Sequence, residues 1–299
     1  MLRYSLLLTL FVLTGCGGGS TGGKSLSQQY QTALKIEDGA LRASKLVTIS
    51  ESQKKAGDAL GAESSLSAAS DAAYSLKDPA SKANSLNRVA AAYGRSAEMA
   101  SAKKLLRDSA KAIAELQDPN AKIRLLADLA AATGQYLKNP DAAAEHLADA
   151  EKAADSLDGS IGKVAAQAKI ASAYARIERP AEAQRMIDQV LAFARALPDA
   201  RDKSECLAEA AAAQSRMKQT DASKATFDEA VQVAAEIAAD DQLGYALLHI
   251  AQKVGAAGRK ADSKELLVKA QDVAFKVKDK SLKGPLADEI EAAIRASEK

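Results

Sequence analysis

Tryptophan is absent from the 299 residues, and aromatic side chains make up only 4% of them. About half of the 47% hydrophobic content is alanine, which favours helix and lets helices approach but buries little area per residue. One large core is therefore excluded, and a stack of small helical interfaces is expected. Cysteine is limited to Cys16 and Cys206, so no disulfide framework exists to report a compartment. The two histidines, His146 and His249, lie about 100 residues apart, and neither has a second histidine or cysteine at ligand spacing. A surplus of one charge is missing as well: 41 basic residues face 39 acidic ones, leaving +2. Such balance draws in no nucleic acid.

Long apolar runs are also lacking. The main run, residues 6–13, follows Arg3 and has about half the ~20 residues of a membrane-spanning helix. A cation followed by a short apolar stretch has the composition of a signal peptide, here residues 1–15. The next residues, Leu13-Thr14-Gly15-Cys16, are similar to the lipobox of bacterial lipoproteins. That resemblance implies cleavage before Cys16, diacylglycerol on its sulfur and an amide-linked acyl chain (palmitate-type), which together anchor durably. Because Gly17 is not aspartate, the expected address is the outer membrane, facing the periplasm. Residues 16–25 then read as a lipidated flexible tether rich in glycine. Residues 18–25 also satisfy G-x-x-x-x-G-K-[ST], a phosphate-cradling pattern. With no strand pattern before it, the match points to no nucleotide site.

From residue 26 to 299 the chain repeats. Leu46, Leu86, Leu126, Gln167, Leu207 and Leu247 open one motif at spacings of 40, 40, 41, 40 and 40. Leu66, Leu106, Leu147, Ile187, Phe227 and Leu267 centre a second one at 40, 41, 40, 40 and 40. A single extra residue therefore sits in the third unit, between Thr133 and Ala143. Separations of three and four within each motif place it along one helix face, so each unit is a pair of helices. Units begin near residues 38, 78, 118, 158, 198 and 238. Asp78-Pro79, Asp118-Pro119, Asp158-Gly159, Pro198-Asp199 and Asp240 stand before the first helices, where a carboxylate caps free amides and proline is preset at helical φ. Gly94-Arg95, Gly134, Arg179-Pro180 and Gly258 mark the turns inside units. Residues 26–37 form a half-unit, and residues 281–297 a closing helix with Leu286, Ile290 and Ile294 inward.

At Leu86, Val89, Ala90, Tyr93, Ala102, Leu106 and Ser109 the chain resembles the tetratricopeptide repeat family, and the likeness extends over residues 38–277. Two departures are plain: the period is about 40 rather than 34, and leucine stands where that family carries tryptophan. The resemblance implies an all-α, right-handed solenoid of about six helix-turn-helix repeats, whose first helices line a concave groove. Within it, the residues two after the aromatic position are Lys55, Arg95, Gln135, Arg176, Arg216 and Ala256. Stacking would align Lys55, Arg95, Arg176 and Arg216 into a basic ladder for an acidic or carboxylate-ended peptide. The same cations also suit the negative end of a helix dipole, and both readings stay open. Ala91, Ala131 and Ala212 leave room beside them.

Catalytic residues, cofactors and metal ligands are not expected. Cys206 reads as a packing residue beside Leu207, and the adjacent Asp240 and Asp241 point ~100° apart on a helix. Lys276, Lys278, Lys280 and Lys283 fit either a solvated helix end or a contact with anionic lipid. The sequence thus predicts a lipid-anchored scaffold or adaptor for protein–protein interactions in the bacterial cell envelope. A periplasmic capture protein for peptides or cell-wall fragments is the alternative.

Overall fold

The computed structural model describes residues 24–297, so the signal peptide (1–15), Cys16 and most of the tether (16–25) lie outside the described residues. Fourteen α-helices, with no strand among the described residues, follow one another: α1 (Leu26–Leu34), α2 (Gly39–Lys55), α3 (Ala59–Tyr74), α4 (Pro79–Arg95), α5 (Met99–Ala114), α6 (Pro119–Leu137), α7 (Pro140–Asp155), α8 (Ser160–Arg176), α9 (Pro180–Ala196), α10 (Ala200–Arg216), α11 (Thr220–Ala234), α12 (Asp240–Ala256), α13 (Lys260–Lys276) and α14 (Lys280–Ser297). Helices α2 to α13 form six hairpins. The half-unit α1 packs on α2, and α14 closes the other end against α12 and α13. None of the helices is long and apolar enough to cross a membrane.

Neighbouring first helices, α2, α4, α6, α8, α10, α12 and α14, touch in series. Each second helix touches the first helix of its own hairpin and the next first helix, but from α3 onward no two second helices pack together. Long polar side chains bridge that outer gap instead. Tyr74 Oη donates to Asp108 Oδ2 at 2.9 Å, Arg185 to Glu151 at 2.9 Å, and Arg195 to both oxygens of Glu229 at 2.9 and 2.7 Å. Inside, Leu46, Leu86, Leu129, Leu147, Ile170 and Leu207 are wholly buried, each worth about 1.5–3 kcal/mol of apolar burial. The all-α solenoid expected from the 40-residue period is what forms.

Start signals work as expected in three units, at Asp78, Asp118 and Asp199, and Asp38 caps α2 in the same way. Asp38, Asp78, Asp118 and Asp199 each accept a hydrogen bond from an amide in the first turn of the following helix. Two expectations are corrected. The N-cap of α8 is Gly159, at φ 87° and with no capping side chain, rather than Asp158. Asp240 lies inside α12, whose cap is Ala239. Ser25, the hydroxyl of the phosphate-loop pattern, instead caps α1 in a reciprocal box with Gln28.

The turns inside hairpins also differ from the reading of their glycines. Each first helix ends on a left-handed residue: Gly57, Ala97, Lys138, Glu178, Lys218 and Gly258. In five of them the next amide bonds back to a carbonyl five residues earlier, as in Asp58 to Gln53 at 2.9 Å and Arg179 to Tyr174 at 3.0 Å. This is a Schellman ending. The third unit's extra residue lengthens α6 to 19 residues, against 17 for α4, and α6 ends without that bond. Gly94 and Gly134 are not turn residues. They lie within α4 and α6, where the next unit presses a side chain against the backbone: a Cβ on Gly94 would overlap the Tyr136 ring, and one on Gly134 would stand 2.7 Å from Ile177 Cγ2.

Candidate functional site

The first helices form one continuous face. A recess of about 570 Å³ in it takes its walls from four consecutive first helices: Arg124 of α6, Gly162 and Lys169 of α8, Glu209 and Arg216 of α10, and Lys253 of α12. A hollow shared by four helices requires the face to be concave there. Small residues make the space, since Ala121, Ala165 and Ala166 line it, and a Cβ on Gly162 would meet nothing within 4 Å.

The four residues of the basic ladder stand in the last turns of α2, α4, α8 and α10. There the free carbonyls and the helix dipole favour a cation. Lys55 is exposed. Arg95 reaches Glu51 at 2.5 Å and Tyr136 Oη at 3.3 Å, tying α4 to both neighbouring first helices. Arg176 is exposed and lines a separate depression of about 510 Å³ with Ala131, Gly134 and Gln135. Arg216 opens into the main recess and donates to Ser172 Oγ at 3.3 Å. Arg95 and Arg216 thus use one register, each bonding a residue 44 positions back. Lys54 does similar work, donating to the Arg95 carbonyl at 2.7 Å.

Sequence reading missed a second row nearer the middle of the face: Thr48, Arg88, Asp128, Lys169, Glu209 and His249. Its charges alternate from helix to helix, and the signal was available had the 40-residue period been applied to charged positions. Asp128 shows the consequence. Desolvation pushes its carboxyl up, and Arg124 on its own helix with Lys169 and Arg176 of α8 pull it down without offsetting that rise. Glu209 is buried, which opposes ionisation, but Lys253 Nζ at 2.5 Å and His249 Nε2 at 3.5 Å from Oε1 prevail and hold it at about 2. The Glu209 charge is spent on joining α10 to α12. Arg124, Lys169 and Arg216 form no ion pair among the described residues, so the recess presents net positive charge.

The remaining candidates lie elsewhere. Cys206 is fully buried in α10, and burial together with Asp202, Glu205 and Glu209 pushes its thiol up to about 12, so it packs rather than attacks. His146 lines an outer cleft beside Ala110, Asp149 and Lys152, and burial lowers its pKa despite Asp149 and Glu145. Among the described residues no group of three or more His, Cys, Asp or Glu side chains is placed to hold a metal ion.

No family model and no curated protein matches the sequence. Solved structures with similar folds include Ton1535 from Thermococcus onnurineus NA1, 14% identical over 87% of this chain and 94% of that one, TM-score 0.46. A putative kinesin light chain of Podosopora anserina with nearly identical TPR-like repeats is 18% identical over 67% and 98%, TM-score 0.35. A Rap protein complexed with Competence and Sporulation Factor is 13% identical over 91% and 81%, TM-score 0.36. The helices themselves establish an all-α solenoid of stacked helix pairs, whose motifs resemble those of the tetratricopeptide repeat at a longer period of about 40 residues.

Proposed function

We propose that this protein is a lipid-anchored scaffold of the bacterial cell envelope, which holds a protein partner in the groove of its first helices. The observation that carries the binding role is the recess shared by α6, α8, α10 and α12, where Arg124, Lys169 and Arg216 form no ion pair among the described residues. Cations arranged on rigid helices offer charge-assisted hydrogen bonds to an acidic or carboxylate-ended segment. The anchor rests on the sequence before and at Cys16, and Gly17 favours the outer membrane, facing the periplasm.

Two experiments test this reading. A photoreactive residue at Arg124 in intact cells should crosslink one protein, and Arg95→Gln, Arg176→Gln and Arg216→Gln combined should abolish the crosslink while helicity persists. Crosslinking unchanged by that triple variant ends the role of the ladder. Mass spectrometry of the processed amino terminus should find acyl chains on Cys16, and an unmodified thiol ends the anchor. A second reading, capture of a short peptide or cell-wall fragment, gains from the recess volume of about 570 Å³, which lies within the ~300–1,000 Å³ range of small-ligand pockets. A thermal-shift screen of such fragments separates the two readings. Gly162 lines the recess and has open space at its Cβ, so Gly162→Gln should block either occupant.

A further inference from the structure

Two of the second helices reach the next one from the position eight residues after the large one of their motif. Tyr74 and Arg195 occupy it in α3 and α9 and reach Asp108 and Glu229 on the next second helix. In α13 the position holds Phe275, and no second helix follows it among the described residues. Phe275 is 66% exposed, Val268 two turns earlier is 47% exposed and Leu282 at the start of α14 is 42% exposed. Isolated apolar residues on a surface are ordinary; this group is set apart by its rim. Lys283 lies 5.7 Å from the Phe275 ring centre and donates to the Phe275 carbonyl at 2.8 Å. Lys276, Lys278 and Lys280 are exposed, and none of these four lysines forms an ion pair among the described residues. Three lysines elsewhere on the second helices are paired, Lys111–Asp108, Lys152–Asp149 and Lys269–Glu265, and those there without an ion pair among the described residues, Lys103, Lys104, Lys224, Lys260 and Lys264, are not gathered four to a ten-residue stretch as these are. Asp279 is the sole carboxylate within residues 275–284, and its Oδ1 accepts from both the amide and the hydroxyl of Ser281.

We propose that this edge, Phe275 and Leu282 with Lys283 against the ring and the exposed Lys276, Lys278 and Lys280 between them in the chain, docks on an anionic lipid surface. Apolar side chains enter the boundary between headgroups and acyl chains, while lysine stems run along them and leave their ammonium groups among the phosphates. A bilayer fits this patch better than an acidic protein does. The cations are flexible point charges with no arginine fork between residues 260 and 294, and a protein hot spot favours arginine and a packed pocket. A diffuse negative surface needs neither.

The absence of tryptophan makes the test direct. Phe275→Trp in the full chain, with Cys16→Ser so that no acyl chain forms, places one indole in the patch. Its emission should shift to the blue with vesicles of phosphatidylglycerol and phosphatidylcholine in equal parts, and stay fixed with phosphatidylcholine alone. A control indole from Phe193→Trp, on α9, should stay fixed with both. Changing the four lysines to glutamine should weaken binding about fivefold per lysine. No shift on the anionic vesicles, an equal shift on neutral ones, or a larger response to polyglutamate than to lipid would overturn the proposal. Because the indole reports only its own surroundings, failure here leaves the groove and the Cys16 anchor untouched.

Discussion

The second and fourth hairpins have the same length of first helix and opposite styles of construction. Helix α4 begins on a capping aspartate and a proline, and Gly94 lets Tyr136 of the third hairpin lie against its backbone. Helix α8 begins on an uncapped Gly159. It packs less closely on its partner α9 than the other first helices do on theirs, and leans on α10 instead. The core changes hands in this hairpin as well. Val164, Val190 and Ala194 belong to the hydrophobic cluster running toward Ile290, whereas Ile170, Met186 and Ile187 belong to the one running back to Ala33. In a linear stack, stability is a sum over units and their interfaces. The hairpin whose own two helices pack least closely sits in the middle of the stack, so the stack is expected to divide first at this joint, and the recess lies across it.

Helix α10 shows what makes up for the loose unit. Residues 204–214 are buried without a break, which a helix allows only when it is covered on every side. Alanine permits this because neighbouring backbones can come close. Glu209 is drawn into that cover and depends on Lys253 and His249, so the largest effect is expected there. Lys253→Met leaves the carboxylate buried with one partner fewer and should cost about 3 kcal/mol. Hydrogen exchange should then show α10 to α13 opening before α2 to α7. Simultaneous opening would mean that the joint does not exist. The pH dependence has a definite sign. Because the folded pKa of Glu209 is about 2 against an ordinary 4.5, its stabilisation is complete above the ordinary value and is lost as pH falls from there toward 2. Lys253→Met should flatten that part of the stability profile, as read by urea unfolding.

Next in size is a pair of glycine substitutions. Gly94→Ala forces the Tyr136 ring away and should destabilise by about 1–3 kcal/mol. Gly162→Ala meets open space in a helix and should stabilise by roughly 0.5–1 kcal/mol. Equal effects from the two would dissolve the contrast between the hairpins. The caps come third. Asp118→Ala removes an acceptor used by Asn120 and Ala121 and should cost about 1 kcal/mol, while Asp158→Ala, outside any cap, should leave the melting temperature unchanged.

These contrasts divide what was readable in the sequence from what was not. Leu46, Leu86, Leu126, Leu207 and Leu247 declare the period because each must face its neighbours, and burial leaves few residue types able to do so. Asp158 and Asp240 were misplaced because a cap depends on the φ of the residue itself, which a one-letter pattern does not carry. Gly94 and Gly134 were read as turns because glycine is ambiguous: it permits positive φ, and it also permits close approach, which only the tertiary partner reveals. The alternating row through Asp128, Lys169 and Glu209 went unseen for another reason. Its meaning lies in contacts between helices about 40 residues apart. The recess arises the same way, from the curvature of four helices together, and no single repeat encodes it.

The smallest expected effect tests the turn inside each hairpin. The terminal units carry glycine at the left-handed position, Gly57 and Gly258, whereas three interior Schellman endings hold Ala97, Glu178 and Lys218 there at φ 62°. A side chain in that region costs roughly 1–2 kcal/mol, and glycine gives back about 0.5–1 kcal/mol of that in unfolded-state entropy. Ala97→Gly and Glu178→Gly should therefore each stabilise by about 0.5 kcal/mol, and Gly57→Ala should destabilise by a similar amount. Urea midpoints of the three variants against the parent read the signs. If Glu178→Gly gains more than Ala97→Gly, the fourth hairpin carries strain that its neighbours do not, and the joint lies in its turn; equal gains leave the joint to the uncapped start of α8 and its loose seat on α9.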